Sequence, residues 1–250
     1  MTTGAQINAL WRHPIKGHGR EELSSITLAA GQTMPWDRRW AVTHEGAKTD
    51  GSEWAPCANF SRGAKVPALM AISSVSDETA GTVTLSHPDR PDLTFDPDTD
   101  ARAFLDWVRP LMPEDRAQST GLVRAPDRGM TDTDFPSISL INMASNADLA
   151  MHLGESLSPL RWRGNILFEG ALPWDEEKWI GQTLAIGDAR LQVREPIVRC
   201  LATAANPDTG ERDRDTLGGL DRLRGRQEFG IYAEVTQGGT ISVGDRIELA

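Results

Sequence analysis

Sulfur is scarce in this chain. Only two of its 250 residues are cysteine, Cys57 and Cys200, and they lie far apart. That excludes a disulfide-dense secreted scaffold, a four-cysteine iron–sulfur site and any paired cysteine/histidine zinc spacing. Positive charge is also in deficit: 26 Lys and Arg face 36 Asp and Glu, a net charge of −10. A general nucleic-acid or membrane-surface binder would carry a basic face instead. No apolar run approaches the roughly 20 residues needed to cross a bilayer. The opening MTTGAQINALWRHPIKG lacks the basic start and apolar core of a secretory signal. The expectation is a cytoplasmic protein that engages neither nucleic acid nor membrane. An anionic ligand stays open, provided its basic contacts gather in one pocket.

What is present reads as soluble and globular, with 39% hydrophobic and 25% charged residues. The length suffices for one large domain or two small ones. Short extended segments dominate. In 6–13, Ile7, Ala9 and Trp11 alternate with polar neighbours, as in a half-buried strand. Similar runs follow at 23–28, 38–44, 81–87, 137–142, 182–193, 228–235 and 240–249, and Gly-Asp within the runs 182–193 and 240–249 signals a tight turn. Helices are fewer. Residues 97–112 place Phe104, Trp107, Val108 and Leu111 on one stripe, with Asp98 as cap and Pro110 at the end. Residues 145–157 open on Ser145 and Asp148, spaced like a capping box, and align Leu149, Leu153 and Leu157. Short helices are expected at 173–180 and 216–225. The proline-rich stretch 110–136 reads as irregular, so the chain divides into units of 1–112 and 113–250.

Cys200 follows Arg199 and precedes a Pro-Asp-Thr-Gly turn at 207–210. A cation beside a thiol favours the thiolate, which is both the nucleophile and the soft metal ligand. In an extended segment, however, neighbours point to opposite faces, so an inert buried thiol, a nucleophile and a metal ligand all remain open. His13, His18, His44, His87 and His152 form no nucleophile-partner signature. His13 and His18 read as surface loop residues, His152 as partly buried helix packing and Cys57 as a packing thiol. Basic residues recur at element ends: Lys16 in HPIKGHG, the phrase DRRW at 37–40, and Arg161 and Arg163 in RWRGN. Arginine suits bidentate phosphate or carboxylate recognition, and lysine supplies a compact point charge.

WRHPIKGHGREELSSITLAAG followed by WDRRWAVTHEG, then RWRGNILFEG, the IGD turn, VRCLATAANPDTGE, FGIYAEV and ISVGDRIEL, together resemble the MOSC family, named for the C-terminal domain of molybdenum-cofactor sulfurase. The resemblance covers nearly the whole chain and is strongest to members with an N-terminal barrel, such as the amidoxime-reducing components. It implies a β-rich α+β fold: an N-terminal β-barrel-like unit, then a MOSC β-barrel with a few peripheral helices. It implies Cys200 as the protein ligand to molybdenum in the molybdenum cofactor (Mo-molybdopterin). Lys16, Gly17, Arg38, Ser137, Arg163, Asn165 and Arg199 become its cradle. Three positions depart from the family pattern: Gly17 stands where a serine is common, Gly164 replaces a proline, and Pro35-Trp36 stands where a glycine often precedes DRRW.

The activity implied is two-electron reduction of a small N-oxygenated compound, such as a hydroxylamine or amidoxime. The metal would accept the substrate oxygen, and a separate electron-donor protein of ferredoxin, flavin or cytochrome type would supply the electrons. The same cradle would serve a module that carries the cofactor, or transfers sulfur, without turnover.

Overall fold

A computed structural model of the chain describes residues 2–250. In chain order its strands and helices are β1 (Thr2–Arg12), β2 (Ile15–Lys16), β3 (Glu21–Leu23), β4 (Ser25–Leu28), β5 (Trp40–His44), β6 (Ser73–Asp77), β7 (Thr82–His87), β8 (Arg90–Phe95), α1 (Ala101–Val108), β9 (Ser119–Val123), β10 (Ser137–Asn142), α2 (Met143–Leu153), β11 (Ile166–Glu169), β12 (Thr183–Ile186), β13 (Ala189–Val198), α3 (Thr216–Arg224), β14 (Glu228–Gln237), β15 (Gly239–Ser242) and β16 (Arg246–Leu249). The pairing order β11-β10-β14-β13-β12-β16-β1 returns from β1 to β11 and closes a barrel, with β3 added alongside β1. Closure leaves no free edge on those strands.

The barrel interior is aliphatic. Ala5, Ile7, Leu10, Leu140, Ile166, Leu184, Leu191, Val193, Ile231 and Ile247 are among its buried residues. Burying one Val, Leu or Ile contributes about 1.5–3 kcal/mol, so this layer dominates the stability of the half. Strand β1 does not keep one alternation. Ile7 pairs with Phe168 but Ala9 pairs with Leu167, leaving Asn8 extra on β1. Such a bulge reverses the faces beyond it. Leu10 therefore enters the barrel core, while Ala9 and Trp11 pack against a separate cluster around Trp162 and Phe229. The simple alternation of Ile7, Ala9 and Trp11 expected from the sequence is broken there.

The N-terminal unit is built from the sheets β2-β5-β9 and β6-β7-β8, which share one core with α1: Ile15, Trp40, Val42, Val83, Leu85, Phe95, Phe104 and Val108. The two halves interleave. Strand β1 belongs to the barrel, and β4 pairs with β15 near the C-terminus.

The Gly-Asp turns hold: Ile186 pairs with Ala189 across Gly187-Asp188, and Gly244-Asp245 separates β15 from β16. Other local expectations change. Asp100, not Asp98, stands at the start of α1, and Asp98 instead accepts from Trp40 Nε1 and Arg124 Nη1, both at 2.7 Å. Helix α2 starts earlier, capped by the Asn142 side chain on the Ala144 amide. Ser145 lies inside that helix and donates to the buried Glu176 at 2.8 Å. The segment near 173–180 is a short 3-10 turn, Asp175–Trp179, whereas α3 forms as expected. Strand β9 lies within the stretch read as irregular and pairs with β5.

Candidate functional site

Between the barrel and the N-terminal unit lies a cavity of about 500 Å³. Lys16, Gly17, Arg38, Arg163, Arg199 and Cys200 all line it, brought from four separate parts of the chain. Each arrives by a local feature. Lys16 ends β2, and Gly17 turns the chain with φ 77°. A Cβ at Gly17 would stand 2.7 Å from the Ser61 carbonyl oxygen, so the serine common at this place would not fit. Arg38 and Arg163 both adopt left-handed backbone, φ 50° and 48°, a conformation uncommon for non-glycine residues that clusters at functional sites. Gly164 has a packing reason too, since a Cβ there would meet Ile141 Cγ1 at 2.3 Å. At the end of β13 the register with β14 slips twice, between Val193 and Glu195 and between Pro196 and Val198. The strand thereby leaves the barrel and delivers Arg199 and Cys200 to the rim.

The arginines are held by backbone carbonyls. Arg199 donates through Nε to Phe229 O at 2.7 Å and through Nη1 to Trp162 O at 2.9 Å, and its guanidinium lies over the stacked Trp162 and Phe229 rings. Arg163 donates to Gly19 O and receives at its own carbonyl a bond from Arg38 Nη2, both at 3.0 Å. Buried Asp37 locks Arg38 by an ion pair and accepts the His13 amide at 2.8 Å. One buried nitrogen on each of Arg163 (Nη1) and Arg199 (Nη2) has no partner. An orphaned buried donor costs on the order of 1–3 kcal/mol, and both arginines line one cavity, as does Arg161, whose buried Nε also lacks a partner.

Burial, together with the neighbouring Arg38 and Arg20, lowers Arg163 to about 9. Burial lowers Arg199 to about 10. Burial and then the Arg163 and Arg38 charges push His13 down to about 3, so it stays neutral near pH 7. His13 and His18 are fully buried and His152 is exposed, the reverse of the sequence expectation. The Lys16 ammonium bonds Met130 O at 2.7 Å and pairs with Asp132, which also lines the cavity.

Two of the expected residues stand one layer back. Asn165 is buried, accepting from Ser139 N at 3.1 Å and from Ser139 Oγ at 2.8 Å; it is Ser139 that lines the cavity. Ser137 is buried and accepts from Thr133 Oγ1 at 2.8 Å, and Thr133 is on the wall. The β10 alternation puts Ser137 and Ser139 on one face, but alternation alone does not say which of the two meets the cavity. Cys200 is exposed rather than buried, which removes the inert core thiol. Arg161, singled out beside Arg163 in the sequence, also lines the cavity, whereas Cys57, Arg62 and Tyr232, the chain's one tyrosine, were not expected there. Cys57 is no packing thiol: it lines the same cavity and accepts from Arg62 Nη1 at 2.8 Å.

Among the described residues no three His, Cys, Asp or Glu side chains gather as a metal site. A metal bound at Cys200 would therefore have to bring its remaining ligands with it, as an organic metal complex does. The unpaired cationic donors suit an anionic group on that complex, and an exposed thiol suits a soft metal.

A MOSC N-terminal beta barrel domain matches residues 4–119 and a MOSC domain matches residues 128–248. Mitochondrial amidoxime-reducing component 1 of Homo sapiens is 30% identical over 58% of this chain and 45% of its own length. Molybdenum cofactor sulfurase of Bos taurus is 34% identical over 37% of this chain and 12% of its own length. The chain thus spans less than half of either relative. The YUAD protein of Bacillus subtilis overlays with a TM-score of 0.48 at 14% identity, covering 100% of this chain and 96% of that one.

Proposed function

Starting from a chain that belongs to the MOSC family and carries that family's N-terminal barrel, we propose that the cavity holds the molybdenum cofactor and that the protein reduces N-oxygenated compounds. The carrying observation is the pair of buried, unpartnered donors on Arg163 and Arg199 beside an exposed Cys200. When bound, the cofactor would supply the two-electron oxygen-accepting chemistry, which side chains lack.

The chain's own residues would bind and orient it. Cys200 gives the metal one thiolate. Arg163, Arg199, Arg38 and Lys16 face its anionic groups. Asp37 keeps Arg38 charged and fixed, since a buried carboxylate paired with a guanidinium stays ionised. Binding an anion would draw Lys16 from Asp132, and it would offer partners to donors that otherwise lack them. Asn165 acts through Ser139 and is a positioning residue. The Tyr232 hydroxyl is pushed well above the usual range by burial, so it stays a proton-bearing donor on the wall. An exposed rim at Cys200 leaves room for a small substrate and for the approach of a separate electron-donor protein. That the protein works in the cytoplasm belongs to the same proposal.

The test is oxidation of reduced methyl viologen by protein produced in a cofactor-making host, with benzamidoxime as substrate. Wild type should consume the dye stoichiometrically with benzamidine formed. Cys200→Ser should lose at least about tenfold in rate. Molybdenum-loaded protein without turnover would replace the reductase reading with that of a cofactor carrier.

A further inference from the structure

Arg62 is set apart from the other cations of the cavity. It stands on the segment 61–64, and it also lines a neighbouring cavity of about 280 Å³ that holds Lys65, Arg116, Asp115 and His44. The segment is fixed on several sides. Ser61 N donates to Val42 O at 2.8 Å, Lys65 N and Val66 N donate to Arg62 O at 3.0 Å, and Arg212 reaches Ala64 O at 2.8 Å. Gly63 packs so close to Met70 that a Cβ there would stand 2.6 Å from its sulfur. The half-buried Arg62 side chain spends one N–H on Cys57 Sγ and has no carboxylate within ion-pair distance among the described residues. Arg161, by contrast, is paired with Asp213 at 2.6 Å. In a chain carrying ten excess negative charges, an unpaired guanidinium held on a fixed segment is a feature to explain. Among the described residues, the one carboxylate on the same cavity outside any ion pair is Glu195, exposed on β13, the strand that leads to Cys200.

Resting on the reductase reading above, we infer that Arg62 selects N-oxygenated substrates that carry a carboxylate. The deep cations Lys16, Arg38, Arg163 and Arg199 would be taken up by the cofactor. Arg62 then offers its remaining N–H groups as a fork, the geometry that matches a carboxylate. Cys57 positions that fork by accepting one of its bonds. The substrate's N–O group would point towards Cys200 and its carboxylate towards Arg62.

Binding and turnover of benzamidoxime and 4-carboxybenzamidoxime test this on the molybdenum-loaded protein. Binding is measured by calorimetry with no electron donor present. Wild type should bind the carboxylated compound at least about tenfold more tightly. Arg62→Gln should abolish that ratio while leaving benzamidoxime binding unchanged, and Arg62→Lys should retain part of it. The preference should shrink as salt is raised. Equal affinities in wild type, no binding of either compound, or a preference that survives Arg62→Gln would each overturn the inference. A preference in binding without turnover would instead leave Arg62 in place and remove the reductase reading.

Discussion

Two regions of this molecule bury arginines, and they treat them in opposite ways. Between β1, β3 and β6, Arg12 is buried and donates through Nε to Glu21 at 2.8 Å and also to Glu78. Glu21 in turn accepts from Ser76 N and Ser76 Oγ. Burial works against the Arg12 charge, but the two carboxylates prevail and raise its affinity for the proton. In the cavity, Arg163 and Arg199 meet carbonyl oxygens instead, keep an orphaned nitrogen each, and are lowered to about 9 and about 10. One region closes its electrostatics within the fold. The other leaves a buried nitrogen on each of Arg163 and Arg199 without a partner.

That difference can be broken by substitution. Arg12→Ala leaves Glu21 buried without its cation, and it should cost about 3–5 kcal/mol of folding stability, read as a lower urea midpoint. Arg163→Gln removes a charge that no carboxylate of the fold pairs. Stability should stay within about 1 kcal/mol of wild type, while affinity of the cofactor-free protein for inorganic phosphate should fall about tenfold. A large stability loss from Arg163→Gln would mean that its charge serves the fold. The smallest effect is with pH. A bound anion stabilises the protonated form of Arg163, so affinity for sulfate, whose own charge is constant here, should be level below the lowered value and weaken as pH rises through about 9. Arg163→Gln should remove that decline.

Much of this was readable from the residues. The strand periods and the Gly-Asp turns pointed to strand-rich units, and the resemblance carried by the ordered phrases around Lys16, Arg38, Arg163 and Cys200 implied the barrel and one basic pocket. What was not readable depended on tertiary register. The bulge at Asn8 swaps the faces of Leu10 and Trp11, which no alternation count anticipates. Ser139 instead of Ser137 reaches the wall because the closure of β10 against β11 and β14 decides which layer of a strand meets the cavity. His13 looked like loop surface and is buried, because its amide and ring both turn onto Asp37. Cys57 and Arg62 carried no signal, since their segment gains its meaning only by packing on Gly17 and beside Cys200.

We propose that the unpaired donors beside Cys200 receive an anionic molybdenum complex. Molybdenum and pterin content of protein purified from a cofactor-competent host tests it most directly, with wild type beside Cys200→Ser. Wild type should carry about one molybdenum per chain with pterin in equal amount, and the variant should lose the metal or change its ligation. Wild type free of molybdenum and bearing a persulfide on Cys200 would contradict the account.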